Sequence, residues 1–248
     1  MHGAGNDFVV VYRTDLPPGA SPTDAIPICD RRTGVGADGV LVVGREPASM
    51  TVWNADGSVA EMCGNGLRCV VQRLVEDGAW TDGAPVQTAA GPVAAERVGD
   101  EVRVEIAVPQ MMDDEPITVD GVDGFRIDMG NPHFVVFTDV DLMSLGPRLE
   151  THPTFPDRTN VEQVVVQDDG SLRMRVWERG VGETQACGSG ACAAAVAAVR
   201  TGRVSGEVID VHVPGGRLKV HLPRDAAAKV QLQGPAVTVF RGQWRRQG

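Results

Sequence analysis

From Ala191 to Val199 the chain reads ACAAAVAAV, with no side chain larger than valine and none charged. A helix of this composition has no polar face to offer solvent, so it must be enclosed on every side. A β-sheet wrapped around a central helix would do this. The run is far shorter than the roughly 20 residues a membrane span requires. The helix that contains it starts near Gly188, ends at Gly202 and follows from ETQACGSG, Glu183 to Gly190. The segment EMCGNGLRCV, Glu61 to Val70, has the same order of acid, cysteine, Gly-x-Gly and apolar helix. In this earlier copy Leu67, Val70, Val71, Leu74 and Val75 have the spacing of an apolar helix face, and Gly78 stops it. The lead cysteines, Cys63 and Cys187, lie half the length of the 248-residue chain apart.

Each half therefore reads as short strands around one buried helix, a weak internal repeat. Val-rich runs predict strands over Phe8–Tyr12, Val40–Val43, Met50–Trp53, Val102–Val108, Phe134–Phe137, Val161–Val166, Leu172–Trp177, Val208–Val213, Leu218–Leu222 and Val237–Phe240. Only the two cysteine-led segments predict substantial helices. The acidic, proline-containing MMDDEP, Met111 to Pro116, is the expected boundary, giving domains 1–114 and 115–235. The fold class is α+β: two pseudo-symmetric domains, each a mixed or antiparallel sheet around a central helix. Hydrophobic residues make up 42% of the chain and aromatics only 4%, so Val, Leu, Ile, Met and Ala must build the cores.

A formal charge of −10 disfavours nucleic-acid and anionic-membrane partners, and the longest basic cluster is WRRQ at Trp244–Gln247. MHGAGND lacks the basic and apolar regions of a secretory signal, so a soluble, cytoplasmic protein is expected. Five cysteines then read as free thiols. Cys63/Cys69 and Cys187/Cys192 lack zinc-knuckle spacing and a histidine at ligand distance, so no metal is expected.

A helix start presents unpaired N–H groups and partial positive charge, which favour anions and a thiolate. Two such cysteines, approaching one carbon from opposite sides, suit two-base stereochemical inversion: a thiolate removes a proton from one face and a thiol returns one to the other. Amide donors on the substrate carboxylate would stabilise the charge that develops. GVGADG, Gly34 to Gly39, and GSGACA, from Gly188, match glycine-rich nucleotide fingerprints only formally, because neither joins a strand directly to a helix. Cys29, Cys69 and Cys192 read as small buried hydrophobes. Taken singly, Asn54 and Asn131 could be turn residues, Arg179 a surface arginine and His133 a core histidine.

Together the segments MHGAGNDF, GVGADG, NADGSVAEMCGNGLRC, GNPHFVVF, FPDRTNVE, WERGVGETQACGSGACA, PGGRLKV and GPAVTVFRG closely resemble the diaminopimelate epimerases, over nearly the whole chain. The resemblance implies cofactor-independent interconversion of LL- and meso-2,6-diaminopimelate, in lysine and peptidoglycan precursor synthesis, with Cys63 and Cys187 as the acid/base pair. It assigns the reacting carboxylate to the backbone amides of Gly64, Asn65, Gly188 and Ser189. The distal amino-acid group falls to Asn54, Asn160 and Arg179, with Glu178 and further contacts from Asn6 and Asn131. His133 and Glu178 would tune the thiols. It also implies an active site in the cleft between the domains, no cofactor, a small-molecule substrate as partner, a homodimer, and return of 236–248 to the first domain.

Two features depart from the family pattern. Its chains usually carry an extra strand before the MHG segment, which puts edge pairing beside Asn6 in question. Gly39 stands where some members have a substrate-contacting glutamine. Proline and hydroxyproline racemases share the fold and the paired cysteines, but their first motif resembles MCGH where this chain has Asn65 after Gly64. A non-enzymatic thiol redox or metal-binding protein is the alternative from another class.

Overall fold

Valine-rich runs become strands wherever a helix covers them, and the two halves of the chain do this alike. The computed structural model describes residues 1–245, so Arg246 and Gln247 of the basic WRRQ cluster lie outside it. The chain divides into two compact units, residues 1–104 with 234–248, and residues 105–233. The first boundary comes earlier than MMDDEP suggested. Gln110–Met111 pairs with Val122–Asp128, and Asp113 holds the Arg126 side chain with contacts of 2.9 and 2.5 Å. Ile106 and Ala107 bond to the Val230 backbone. The acidic stretch is therefore built into the second unit and is not a linker. The return begins at Gly234, just before the expected Ala236.

In the first unit the spatial order of strands is His2–Gly3, Asn6–Tyr12, Gly39–Arg45, Ala48–Asn54, Val86–Thr88 and Gly91–Val93. Val59–Ala60 pairs with Ala48–Asn54, and Ala95–Val98 forms a hairpin with Glu101–Glu105. Asn6–Tyr12 and Gly39–Arg45 run parallel, and Gly39 to Val43 are buried, as strands covered on both faces must be. Helix α1, Ala25–Cys29, covers one face through Ala25 and Cys29 against Val40, Val42 and Trp53. Helix α2, Gly64–Glu76, covers the other.

The second unit repeats the scheme. Its order is Gln110–Met111, Val122–Asp128, Pro132–Phe137, Asn160–Val166, Leu172–Glu178, Val208–Val213, Gly216–His221 and Gln231–Pro235. Ile117–Val119 and Gly182–Thr184 add short side pairings. Helix α3, Leu142–Glu150, seats Leu142, Leu145 and Leu149 on Phe134, Val136 and Val161. Helix α4, Gly188–Arg200, lies against the opposite face, and Ala191 to Ala198 are all buried. The alanine run is thus enclosed, as its composition required.

Both 13-residue helices α2 and α4 begin on a cysteine and end on the same device. Gly78 and Gly202 take positive φ, +66° and +70°. Ala79 N–H then reaches the Leu74 carbonyl at 2.8 Å, and Arg203 N–H the Ala198 carbonyl at 2.9 Å, satisfying last-turn acceptors. Strand register carries the repeat to single residues. Phe8 pairs with Gly39 and Trp53 with Val40; correspondingly, His133 pairs with Asn160 and Trp177 with Val161.

Some sequence expectations fail locally. Val237–Phe240 is not a strand; only Val237 bridges to His2. The strand from Val102 stops at Glu105. Helix α3 and strand Val122–Asp128 were not anticipated, since Gly146-Pro147 and Gly124 interrupt their patterns. The edge beside Asn6 is paired, by His2–Gly3 across a two-residue Ala4-Gly5 turn. Among the described residues no helix is long and apolar enough to cross a membrane.

Candidate active site

Cys63 and Cys187 are the N-caps of α2 and α4. Both are extended, with φ −145° and −116°, and each sulfur accepts a hydrogen bond from the amide three residues on: Gly66 at 3.3 Å and Gly190 at 3.4 Å. The amides of Gly64, Asn65, Gly188 and Ser189 belong to these first turns, whose N–H groups have no intrahelical acceptor. They point partial positive charge toward whatever the sulfurs face.

Around Cys63, the Ala4-Gly5 turn brings Asn6 beside the helix start. The thiol lies 3.9 Å from Asn6 Oδ1, to which Asn65 Nδ2 also donates at 3.3 Å. The buried Arg68 holds Asn65 Oδ1 at 3.0 Å. Asn6 Nδ2 in turn donates to Asp38 at 2.6 Å, and Arg31 clamps Asp38 together with Asp7. Asn54 instead donates to Ser58 at 2.9 Å in its own turn. Gly39 sits opposite Asn54, and a Cβ there would lie 2.8 Å from the Trp53 carbonyl oxygen, so the strands approach closely where this residue has no side chain.

Around Cys187 the environment is charged. Burial pushes its thiol well above the ordinary 9.0, Glu178 and Glu162 add to this, and Ser189 and Gly190 oppose it. Thr184 donates to Glu178. His133 Nδ1 lies 2.6 Å from Glu162 Oε1, with both side chains fully buried, and its Nε2 lies 3.1 Å from Asn131 Oδ1. Asn160 spans Pro132 O and the Arg179 backbone N–H, each at 2.9 Å. The Arg179 guanidinium donates to Asp157 O at 3.0 Å. Asn131, His133, Arg158 and Arg179 line a depression of about 530 Å³.

The structure thus joins Asn6 and Asn65 to Cys63, Ser189 to Cys187, His133 to Asn131, and Asn160 to Arg179. Three supporting carboxylates were not read from sequence. Asp38 holds Asn6. Glu162 sits under Cys187. Glu150 on α3 accepts from Gly180 N–H at 2.7 Å, Trp177 Nε1 at 2.9 Å and Arg158 at 3.2 Å, bracing the Arg179 turn. The signal for Glu162 was present: Val161 faces α3, so the alternation in NVEQVVV turns the following acid inward, toward α4.

The sequence model of diaminopimelate epimerase matches residues 1–112 and 125–239. The chain belongs to this family. A diaminopimelate epimerase from Moorella thermoacetica is 44% identical, covering 98% of this chain and 96% of its own. One from Desulforudis audaxviator is 45% identical, over 99% and 98%. Solved structures extend the fold beyond the diaminopimelate epimerases. A hydroxyproline epimerase from Agrobacterium vitis superposes with a TM-score of 0.67 at 17% identity, covering 94% of this chain and 87% of that one. A Bacillus anthracis phenazine biosynthesis protein gives 0.69 at 16%, over 95% and 92%. At those identities the likeness is one of fold alone.

Proposed function

We propose that this chain is an isomerase that interconverts LL- and meso-2,6-diaminopimelate without a cofactor, using Cys63 and Cys187 as two bases on opposite faces of one α-carbon. The observation that carries the mechanism is the matched pair of cysteine-capped helix starts, each offering a sulfur and first-turn amides. One cysteine, as thiolate, takes the α-proton; the C–H electron pair moves into the carboxylate, and the other thiol delivers its proton to the opposite face. Hydrogen bonds from the first-turn amides are strongest to that enediolate-like state, which lowers the barrier. Cys187, whose burial and neighbouring carboxylates favour the thiol, suits the acid role at the start of a cycle.

Arg179 and Asn160 read the distal amino-acid group, with Asn54, Asn131 and Glu178 completing its recognition. A guanidinium fork pairs with a carboxylate, and asparagines supply the donors and acceptors a zwitterion needs. The enzyme works as a cytoplasmic homodimer supplying lysine and peptidoglycan precursors; sedimentation of the purified chain tests the dimer. The decisive assay is deuterium incorporation at Cα of diaminopimelate in heavy water, with reduced enzyme and no added pyridoxal phosphate. Absence of exchange would overturn the reading. A proline-type racemase would have no use for Arg179, so Arg179→Ala should abolish turnover of diaminopimelate while sparing any turnover of a short amino acid.

A further inference from the structure

Along the sheet face that each central helix covers, the two halves correspond residue by residue, and beneath the cysteines they differ in one consistent way. Phe8 and Leu41 lie under the first turn of α2. The same register positions under α4 hold His133 and Glu162. A Cβ on Gly66 would meet the Leu41 side chain at 3.0 Å, and a Cβ on Gly190 would meet Glu162 Oε1 at 2.7 Å. The residue after Trp53 is the neutral Asn54, whereas the residue after Trp177 is Glu178. Both carboxylates that act on Cys187 therefore stand where the Cys63 half has a neutral side chain.

The packing does not require this exchange. A buried polar pair is costly to desolvate unless every group is satisfied, and the first unit shows that this sheet and helix close well over Phe and Leu. Glu162 Oε2 is moreover buried with no hydrogen-bond partner among the described residues, a cost that packing alone does not explain. A carboxylate held this close to the start of α4 offsets the positive helix end that would otherwise favour the Cys187 thiolate.

We propose that Glu162, held in place by His133, is a positioning residue that makes the two cysteines unequal: it keeps the proton on Cys187, so that the free enzyme presents Cys187 as acid and Cys63 as base. The proposal rests on the two-base reading. Each inversion starting from this form moves one proton from substrate to Cys63 and one from Cys187 to product. The enzyme is left with Cys63 as thiol and Cys187 as thiolate. Glu162 then favours the reset, in which Cys63 loses its proton to solvent and Cys187 regains one. Besides Glu162, the groups that bear on Cys187 are Glu178, which acts in the same sense, and the Ser189 hydroxyl and Gly190 amide, which act against it.

The test is the pH dependence of iodoacetamide labelling at each cysteine, read by peptide mass spectrometry on the full-length protein without substrate. Glu162→Gln removes the charge and keeps the shape. Glu162→Leu installs the side chain that the chain's own first half has at this register position, and circular dichroism checks that each variant is folded. Both should lower the Cys187 midpoint by about one pH unit or more, as loss of a nearby like charge does, and leave the Cys63 midpoint in place. An unmoved Cys187 midpoint in a folded variant, or an equal shift at both cysteines, would overturn the proposal. Labelling needs no turnover, so the two-base reading fails separately, by full activity in Cys187→Ser.

Discussion

A thiol at a helix start can give or take a proton near neutral pH, whereas an alcohol in the same place is a far weaker acid. Cys63→Ser and Cys187→Ser should each cut epimerisation by about 10²- to 10⁴-fold, the usual worth of a positioned acid or base, measured by the rate of stereoisomer interconversion. The other cysteines behave as packing. Burial raises Cys29 to about 11 and Cys69 to about 12, from an ordinary 9.0, with Asp38 and Asp7 also acting on Cys29. A thiol that holds its proton more tightly when folded contributes stability that is complete below pH 9.0 and fades as pH rises toward the folded value. Cys69→Ala should therefore flatten the alkaline loss of stability between about pH 9 and 12, followed by urea unfolding across that range. The distinction between these cysteines was legible in sequence, because only Cys63 and Cys187 precede Gly-x-Gly. Of the acids supporting the site only Glu162 left a signal, the alternation in NVEQVVV; Asp38 and Glu150 become partners of the site only through strand pairing and helix docking.

Helices α2 and α4 were legible because periodicity, cysteine start and glycine stop agree, so that local signals and packing point the same way. They differ in how tightly their first turns are filled. Ala at Gly66 would press on the flexible Leu41 side chain, whereas Ala at Gly190 would press on a carboxylate already fixed by His133. Gly190→Ala should cost about 1 to 3 kcal/mol of stability, in the range for overpacking, and Gly66→Ala distinctly less, by comparison of urea midpoints. Helix α3 was hidden by Gly146-Pro147, a pair that argues against a helix locally, yet its leucines find a ready apolar surface on the sheet. It also carries Glu150, whose three side-chain bonds fix both ends of the Arg179 turn. Glu150→Gln should raise KM for diaminopimelate several-fold with a smaller change in kcat, because the loss falls on substrate positioning and leaves the cysteines in place.

The first unit is completed by the far end of the chain. His2 and Val237 exchange backbone hydrogen bonds at 3.0 and 2.9 Å, Arg68 donates to Pro235 O, and Arg241 and Thr238 latch onto Glu76 at the end of α2. Removing residues 234–248 should strip hydrogen-exchange protection from His2–Gly3 and α2 while strands Pro132–Phe137 and Asn160–Val166 keep theirs. Equal loss in both units would contradict that division.

By itself the sequence determined that two helices, one apolar all round and one with an apolar face, would be packed in strands, that each would begin on a cysteine, and that the chain would repeat this arrangement once. Those are consequences of composition and spacing, which act over one or two turns of backbone. Only the tertiary structure decided that residues 105–114 join the second unit, that Gly39 lies close against the Trp53 carbonyl, and that Cys187 lies over an acid and an imidazole where Cys63 lies over leucine and phenylalanine. These depend on which strand lies beside which and in what register, and a shift of one residue there would turn Glu162 and His133 to the opposite face of the sheet.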